Sequence, residues 1–183
     1  MKLRAHILSI TILLTVLILS SCGTGMTIGK SDFSPIGKNF EATFNNKSLL
    51  TKGRNYHSFK IAILDYFELY KLNADTIHFD FDNNKSLVLT FKDSLGFRTE
   101  IFNGKLKKAG YYEIFLKNER KEIPPFIPII YSKRNISRLR ICLTKGNELV
   151  IDKKWANDGN ILFLAGGGSG RYRSYFKLIP SRQ

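Results

Sequence analysis

Few residues in this sequence have the types and spacing that acid–base or nucleophilic catalysis requires. Asp80 and Asp82 are closely spaced carboxylates with His78 nearby, and such a set moves protons only when a partner holds it in place. All three alternate with phenylalanines, so we interpret them as the solvated face of a strand. There is no G-x-S-x-G elbow, and Cys142 is interpreted as a small packed side chain. We therefore predict no catalytic residues, and a hydrolase ranks last among the functions considered.

The sequence also has few residues that could bind a metal ion or a nucleotide. Beyond the first 21 residues only His57 and His78 remain, and no Cys/His set has the spacing of a zinc site. The run AGGGSG at 165–170 invites comparison with a phosphate-binding loop, which needs a helix directly after it. The residues that follow, RYRSYFKLI, alternate like a strand, so we expect a mobile hairpin connection instead. We predict no metal and no cofactor.

The basic residues form the pattern with the clearest binding chemistry. Arg138 and Arg140 share one face of a predicted strand, and Arg171, Arg173 and Lys177 share one face of another. Such side chains suit anionic lipid head groups, and each contributes about 1 kcal/mol near a charged surface. Basic residues interleaved with aromatic ones also bind nucleic acid, but the export signal described next argues against that partner. A dispersed charge that keeps the protein soluble is the simpler interpretation.

The first 22 residues indicate export. Lys2 and Arg4 form a short basic head, and the apolar run 7–19 is shorter than the roughly 20 residues of a membrane-crossing helix. This combination fits a secretory signal peptide. The run ends in Leu19-Ser20-Ser21-Cys22, which resembles the lipobox of bacterial lipoproteins. The alternatives are a plain signal peptide with a coincidental cysteine and an uncleaved anchor.

The resemblance to bacterial lipoproteins implies a defined modification. The Cys22 thiol would be alkylated with a diacylglycerol, the small residues before it would admit the peptidase, and the new amino group could be acylated. Two or more acyl chains hold a protein stably on a membrane. Gly23 follows the cysteine without an acidic run, which resembles an outer-membrane signal that leaves the protein facing the periplasm. We therefore predict lipidation at Cys22, a membrane partner and a cell-envelope location.

The length, charge and cysteine content of the cleaved chain limit its number of domains and its possible disulfides. The chain has 183 residues and a net charge of +14; without residues 1–21, which hold two of the 29 basic residues and no acid, it has 162 residues and a charge of +12. A chain of this length forms one domain that needs no cross-links to hold its core. With Cys22 lipidated, Cys142 has no partner for a disulfide within the chain.

The mature chain divides into a linker and a strand-rich domain. Residues 22–37 are rich in glycine and predict a flexible tether, with docking of Ile28 and Phe33 on the domain as the alternative. Residues 38–183 predict a single domain of about ten short, alternating strands joined by tight turns, typical of an all-β barrel or sandwich. Pro128 lacks a backbone N–H, so its segment is expected at a sheet edge or a bulge.

One segment departs from the strand pattern. From Ser58 to Leu72 the apolar residues fall mainly on one arc at helical spacing, with Ser58 as N-cap and Asn73 as terminator. We expect an amphipathic helix over 58–72 that packs on the barrel or plugs one end. A pair of buried strands is the alternative.

The predicted domain resembles the lipocalin-like domains of small bacterial lipoproteins in its length, its antiparallel meander and its single helical insertion. The resemblance implies an up-and-down β-barrel of about eight to ten strands. Such a barrel fills its interior or leaves a cup for one apolar ligand. We expect a non-catalytic, membrane-anchored envelope protein that binds a small hydrophobic or lipid-like molecule. The alternative is an envelope scaffold that contacts a protein or anionic head groups through a sheet edge or its basic faces.

Overall fold

The structure is a computed structural model, and it describes most of the predicted domain. The described residues are 28–29, 31–53, 59–82, 85–123, 131–162 and 164–180. The predicted signal peptide, Cys22 and the segment around Pro128 lie outside the described residues. So do 22–27 of the predicted tether and Ser58 of the predicted helix.

Eleven strands and one short helix make up the described part of the chain, and every strand pairing in it is antiparallel. The elements are β1 (Phe33–Ser34), β2 (Glu41–Asn45), β3 (Leu50–Gly53), α1 (Ile63–Tyr66), β4 (Thr76–Asp82), β5 (Ser86–Asp93), β6 (Gly96–Leu106), β7 (Tyr112–Ile123), β8 (Tyr131–Thr144), β9 (Leu149–Ile161), β10 (Leu164–Phe176) and β11 (Leu178–Ile179). The predicted all-β, antiparallel class is confirmed.

The strands form one sheet that curls on itself. Its order is β11-β2-β4-β5-β6-β7-β8-β9-β10-β3, with β1 paired to β8. Because β3 follows β2 after residues 46–49 and β11 follows β10 after Lys177, the two ends of this order adjoin. On either side of this junction, the Asn45 N–H donates to the Lys177 carbonyl (3.0 Å) and continues the β2–β11 pairing, and the Leu49 N–H donates to the Tyr175 carbonyl (2.8 Å) and continues the β3–β10 pairing. β6 and β7 share only three residue pairs, so the sheet is a half-barrel with one weak seam.

Alternation along the strands decides which side chains enter the half-barrel. In β4, Ile77, Phe79 and Phe81 are buried, whereas Asp80 and Asp82 are exposed. This matches the prediction from the two-residue period, since one face of each strand meets the core and the other meets water. Aromatic rings pack edge-on and tilted in the interior; Phe81 and Tyr112, for example, have ring centroids 4.7 Å apart.

The predicted helix over 58–72 is wrong in extent. α1 covers only Ile63–Tyr66, and the chain from 61 to 69 packs inside the half-barrel as a plug, with its apolar residues buried or half-buried. The wall supplies bonds that a longer helix would make internally: the Asn46 side chain accepts from the Leu64 N–H at 3.2 Å, and the Ser48 hydroxyl accepts from the Ile61 N–H at 2.9 Å. Because the plug is enclosed on several sides, its apolar residues need not lie on one helical face.

The end of the predicted tether is docked rather than loose. Phe33 and Ser34 form β1 and pair with Thr144 and Leu143 of β8, and the side chain of Ile36 is 3% exposed. The pairing of Phe33 agrees with the alternative in which Ile28 and Phe33 dock on the domain, and the apolar side chain of Ile36 gains burial beside it.

The expected hairpin at 165–170 is also wrong. These residues lie inside β10, which pairs with β9 from Leu164 to Phe176. The glycines make room for the only tryptophan: a Cβ added at Gly170 would lie 2.7 Å from Trp155 Nε1, and one at Gly168 would lie 3.4 Å from Trp155 Cη2. The indole thus lies across two glycines of the neighbouring strand.

Strands β7 to β10 extend past the core as a four-stranded arm. The arm comprises residues 117–123, 131–137, 155–161 and 164–170. We call its two sides the inner face, continuous with the core-facing side of the sheet, and the outer face.

Candidate functional site

The predicted basic residues meet on the outer face of β7 to β10. Glu113, Arg140, Asp152 and Arg173 are direct neighbours across these four strands and form one row of alternating charge. Cross-strand neighbours of opposite sign stabilise a sheet. We name the outer-face residues around this row the arginine face: Lys107, Glu113, Arg138, Arg140, Asp152, Lys154, Arg171 and Arg173.

Glu113 is the first of two carboxylates that organise the arginine face. It accepts from Arg140 Nε at 2.8 Å, and Lys107 Nζ and Arg138 Nη1 lie 2.8 and 3.5 Å from its oxygens. Its side chain is buried, which by itself raises the carboxyl pKa. The hydrogen bonds and charges of Lys107 and Arg140 outweigh burial and hold the pKa below its ordinary value. Glu113 therefore stays ionised at neutral pH.

Asp152 is the second carboxylate, and it is almost fully buried. Arg171 Nη2 and Arg173 Nη2 approach Asp152 Oδ2 to 2.7 and 2.6 Å, and the Nε atoms of both arginines also donate to it. Charge-assisted bonds of this kind fix the arginine side chains in position. Breaking such a buried pair leaves an uncompensated charge and is costly.

A second row on the arginine face contains only cations. Arg138 is opposite Lys154, and Lys154 is opposite Arg171. Like charges directly opposite each other on a sheet are destabilising. Burial, followed by the charge of Arg140, lowers the pKa of Arg138. The row is tolerated in part because Glu113 and Asp152 lie beside it.

The arginine face carries an excess of positive charge that reaches solvent at one place. Its six cations and two carboxylates leave four positive charges in excess. Lys154 is exposed and the Arg171 side chain is 37% exposed, whereas the Arg138 and Arg173 side chains are mostly buried. The accessible part is therefore centred on Lys154 and Arg171.

The structure brings together four of the five predicted contact residues. Arg138, Arg140, Arg171 and Arg173 belong to the arginine face, but the Arg140 side chain is only 5% exposed and supports the surface from below. Lys177 is exposed and lies beyond the end of β10, outside the two rows. The sequence did not single out the roles of the two carboxylates, because only the strand register places them between the arginines.

The described start of the chain lies on the same outer side as the arginine face. Ile28 and Gly29 line a surface groove of about 670 Å³ together with Arg173 and Tyr175 of β10. The backbone carbonyl of Asp32 accepts a hydrogen bond from the Lys145 N–H at 2.9 Å, beside the turn between β8 and β9. Ile28 and Gly29 therefore lie beside Arg173, at one end of the first row.

Side chains of the described residues fill the interior of the half-barrel. Tyr66, Phe67, Phe79 and Phe176 are at most 3% exposed and pack the plug against the wall. The larger cavities bounded by described residues are open surface grooves, such as one of about 920 Å³ beside β2 and β11. The cup for an apolar ligand is not found among them.

His78 and Cys142, which were considered for catalysis, lie at the surface of the sheet and buried within it, respectively. His78 contacts Thr43 Oγ1 through Nδ1 at 3.0 Å and Glu41 through Nε2 at 3.2 Å, at the surface of β2 and β4. Cys142 is buried on β8, and burial raises the pKa of its thiol to about 12. Among the described residues no group of three or more His, Cys, Asp or Glu side chains could hold a metal ion.

Comparisons of the chain with protein-family models, with curated proteins and with solved structures find no match. Within the described ranges, the single helix of the fold is too short to span a bilayer.

Proposed function

We propose that this chain is a lipid-anchored, non-catalytic protein of the cell envelope, which rests on anionic lipid head groups through its arginine face. The observation that carries the proposal is the row Arg138–Lys154–Arg171, where three cations face one another beside two buried carboxylates. An anionic surface would relieve this repulsion, and each cation near it contributes about 1 kcal/mol.

The position of the proposed anchor agrees with this orientation. Residues 22–28 span at most about 20 Å when extended. The cation row lies six residues along β8 from Thr144, which pairs with Phe33, and this is also about 20 Å. A lipid on Cys22 and the arginine face could therefore contact the same leaflet, because Ile28 and Gly29 lie on the same side of the domain as that face.

The finer assignments belong to this proposal as well. Lipidation at Cys22, an outer-membrane location facing the periplasm and a likeness to lipocalin-like domains of bacterial lipoproteins are inferred from the sequence. A carrier of hydrophobic molecules was the first expectation from the sequence. It stays a prediction, which the described interior, filled by the plug, does not favour.

Two experiments test the proposal in separate steps. Cells fed a radioactive fatty acid should yield labelled protein, and a Cys22→Ser variant should not be labelled. A soluble form beginning at residue 23 should sediment with vesicles that contain phosphatidylglycerol and remain free with phosphatidylcholine vesicles. Equal binding to both kinds of vesicle would contradict an electrostatic contact with the head groups.

A charge reversal locates the surface within the domain. Lys154→Glu should weaken binding to the anionic vesicles about tenfold, because it removes one attraction and adds one repulsion. Lys108→Glu, on the turn between β6 and β7, changes the net charge equally and should weaken binding much less. Equal losses in the two variants would mean that net charge alone drives binding.

A further inference from the structure

The inner face of the arm carries a second constellation, which lies on the side opposite the arginine face. Its residues fall into successive rows across β7 to β10, set by the strand register. The first row is Lys117, Ser137, Trp155 and Gly170; the second is Glu119, Asn135, Asn157 and Gly168; the third is Lys121, Lys133, Gly159 and Gly166. The last row, at the tip, is Ile123, Tyr131, Ile161 and Leu164.

Trp155 provides a planar surface in the first row. Its ring atoms lie over the positions where Gly170 and Gly168 would carry a Cβ, so the indole extends across β10 rather than into the core. The residue is half-buried and lies on the inner face of the arm, so part of its surface remains accessible to solvent there. An aromatic plane of this kind contributes a large apolar contact area at a fixed position.

Amide groups lie next to the indole in the second row. Asn157 is exposed and sits directly opposite Asn135, whose Nδ2 lies 3.5 Å from Glu119 Oε2. The weak bond to Glu119 orients the Asn135 amide, so its carbonyl oxygen stays available as an acceptor. Each amide offers both donor and acceptor groups, which suits a ligand with many hydroxyls.

Two lysines face each other in the third row. Lys121 and Lys133 are directly opposite and both are exposed, an arrangement that destabilises a sheet unless an anion lies between them. Lys133 also lines a groove of about 580 Å³ with Tyr131, Asn157 and Leu164. From the Trp155 row to the lysine row the distance is about 13 Å, since four residues of a strand separate them.

We propose that the inner face of the arm binds an acidic saccharide chain. The apolar C–H side of one sugar ring would cover the indole of Trp155, the amides of Asn135 and Asn157 would bond hydroxyls, and Lys121 and Lys133 would bind a carboxylate farther along. Along the arm, an aromatic plane is followed by amides and then by cations. An acidic saccharide chain offers the matching groups: an apolar ring side, hydroxyls and carboxylates. The inference is independent of the proposed function, because the two faces lie on opposite sides of the same strands.

The single tryptophan reports directly on this face. Full-length protein in detergent micelles is titrated with a galacturonic acid oligosaccharide while the emission of Trp155 is recorded. We expect a saturable change in emission. A neutral maltose-type oligosaccharide of equal length and a polyglutamate peptide of equal charge should each bind at least about tenfold more weakly, because each lacks one of the two recognised features.

Matched variants separate the site from the overall charge. Lys133→Gln should raise the Kd for the acidic oligosaccharide about threefold to tenfold, whereas Lys108→Gln should leave it unchanged. Equal effects of the two variants, equal binding of polyglutamate, or no emission change with either saccharide would overturn the inference. It would also be overturned if phosphatidylglycerol vesicles displaced the bound oligosaccharide, because the inner face would then contact membrane.

Discussion

The Tyr66 hydroxyl donates a hydrogen bond of 2.7 Å to Ser174 Oγ, and this contact joins the plug inside the half-barrel to its wall. Ser174 is in turn 2.7 Å from Thr51 Oγ1, and Thr51 is 3.3 Å from Ser48 Oγ. All of these side chains are buried. The chain of hydroxyls therefore ties the plug to β3 and β10, where the first and last strands of the sheet meet.

Removal of the Tyr66 hydroxyl should loosen the plug without emptying the core. Tyr66→Phe keeps the ring but leaves the buried hydroxyls one partner short, so we expect a loss of about 1 kcal/mol in the free energy of unfolding. Urea denaturation measures this change. Tyr70→Phe is the control, because Tyr70 is 67% exposed and its loss should have little effect. Equal losses in both variants would argue against the hydroxyl chain.

Glu113 should make stability depend on pH in the acid range. Its pKa is lowered in the folded state, because its cationic partners outweigh the effect of burial. Its contribution is therefore complete above the ordinary carboxyl value of 4.5 and is lost as the pH falls through the lowered folded value. Glu113→Gln should cost about 3 kcal/mol at pH 7, because the buried arginine partner loses its counter-charge.

The difference between wild type and Glu113→Gln should shrink as the pH falls below about 4.5, because wild-type Glu113 becomes protonated. Urea denaturation at a series of pH values measures it. Glu122→Gln, on the exposed arm, is the control and should follow the wild type. A difference between wild type and Glu113→Gln that stayed constant down to pH 2 would contradict the ion-pair explanation.

Two glycines of β10 should respond differently to the same methyl group. Gly170→Ala places a Cβ 2.7 Å from Trp155 Nε1, so the indole must shift, with an expected cost of about 1–3 kcal/mol and a change in Trp155 emission. Gly166→Ala meets nothing within 4 Å and should be neutral or slightly stabilising. Fluorescence spectra and denaturation of both variants test this. An unchanged spectrum in Gly170→Ala would contradict the contact.

The thiols give a test of lipidation that is independent of radiolabelling. Burial raises the pKa of Cys142 to about 12, so a maleimide at pH 7 should leave the folded protein unmodified. After denaturation we expect one reactive thiol per processed chain, because Cys22 would be held in a thioether. Mass spectrometry counts the adducts, and Cys142→Ala should then give none. Two adducts on the denatured wild type would show that Cys22 is free.

Part of the arginine face could be inferred from alternation alone. The spacing of Arg138 and Arg140, and of Arg171 and Arg173, correctly puts each pair on one face of a strand, since side chains two apart point the same way. That both pairs share one surface was not predictable, because it depends on β9 lying between them. Lys154 is not among the contact residues that the sequence predicts, and its place between Arg138 and Arg171 follows from the register.

The two wrong predictions, the helix over 58–72 and the hairpin at 165–170, have a common cause. Both the segment 58–72 and the glycines at 165–170 were interpreted from their own residues, as a helix and as a hairpin. In the fold the first is enclosed by the wall, and the second is held in a strand by pairing with β9 beneath Trp155. Tertiary contacts override local preference in both cases, because burial and pairing contribute more than propensity does.

The sequence by itself determined the antiparallel class and the identity of the core-facing residues, because a strand with one wet face must alternate. It also supplies the basis for proposing an anchor at Cys22. Only the tertiary structure decided that the interior is filled, that Glu113 and Asp152 fix the arginines, and that Trp155 lies on the inner face of the arm. These depend on which distant strands become neighbours, and that is settled by packing of the whole chain rather than by any local pattern.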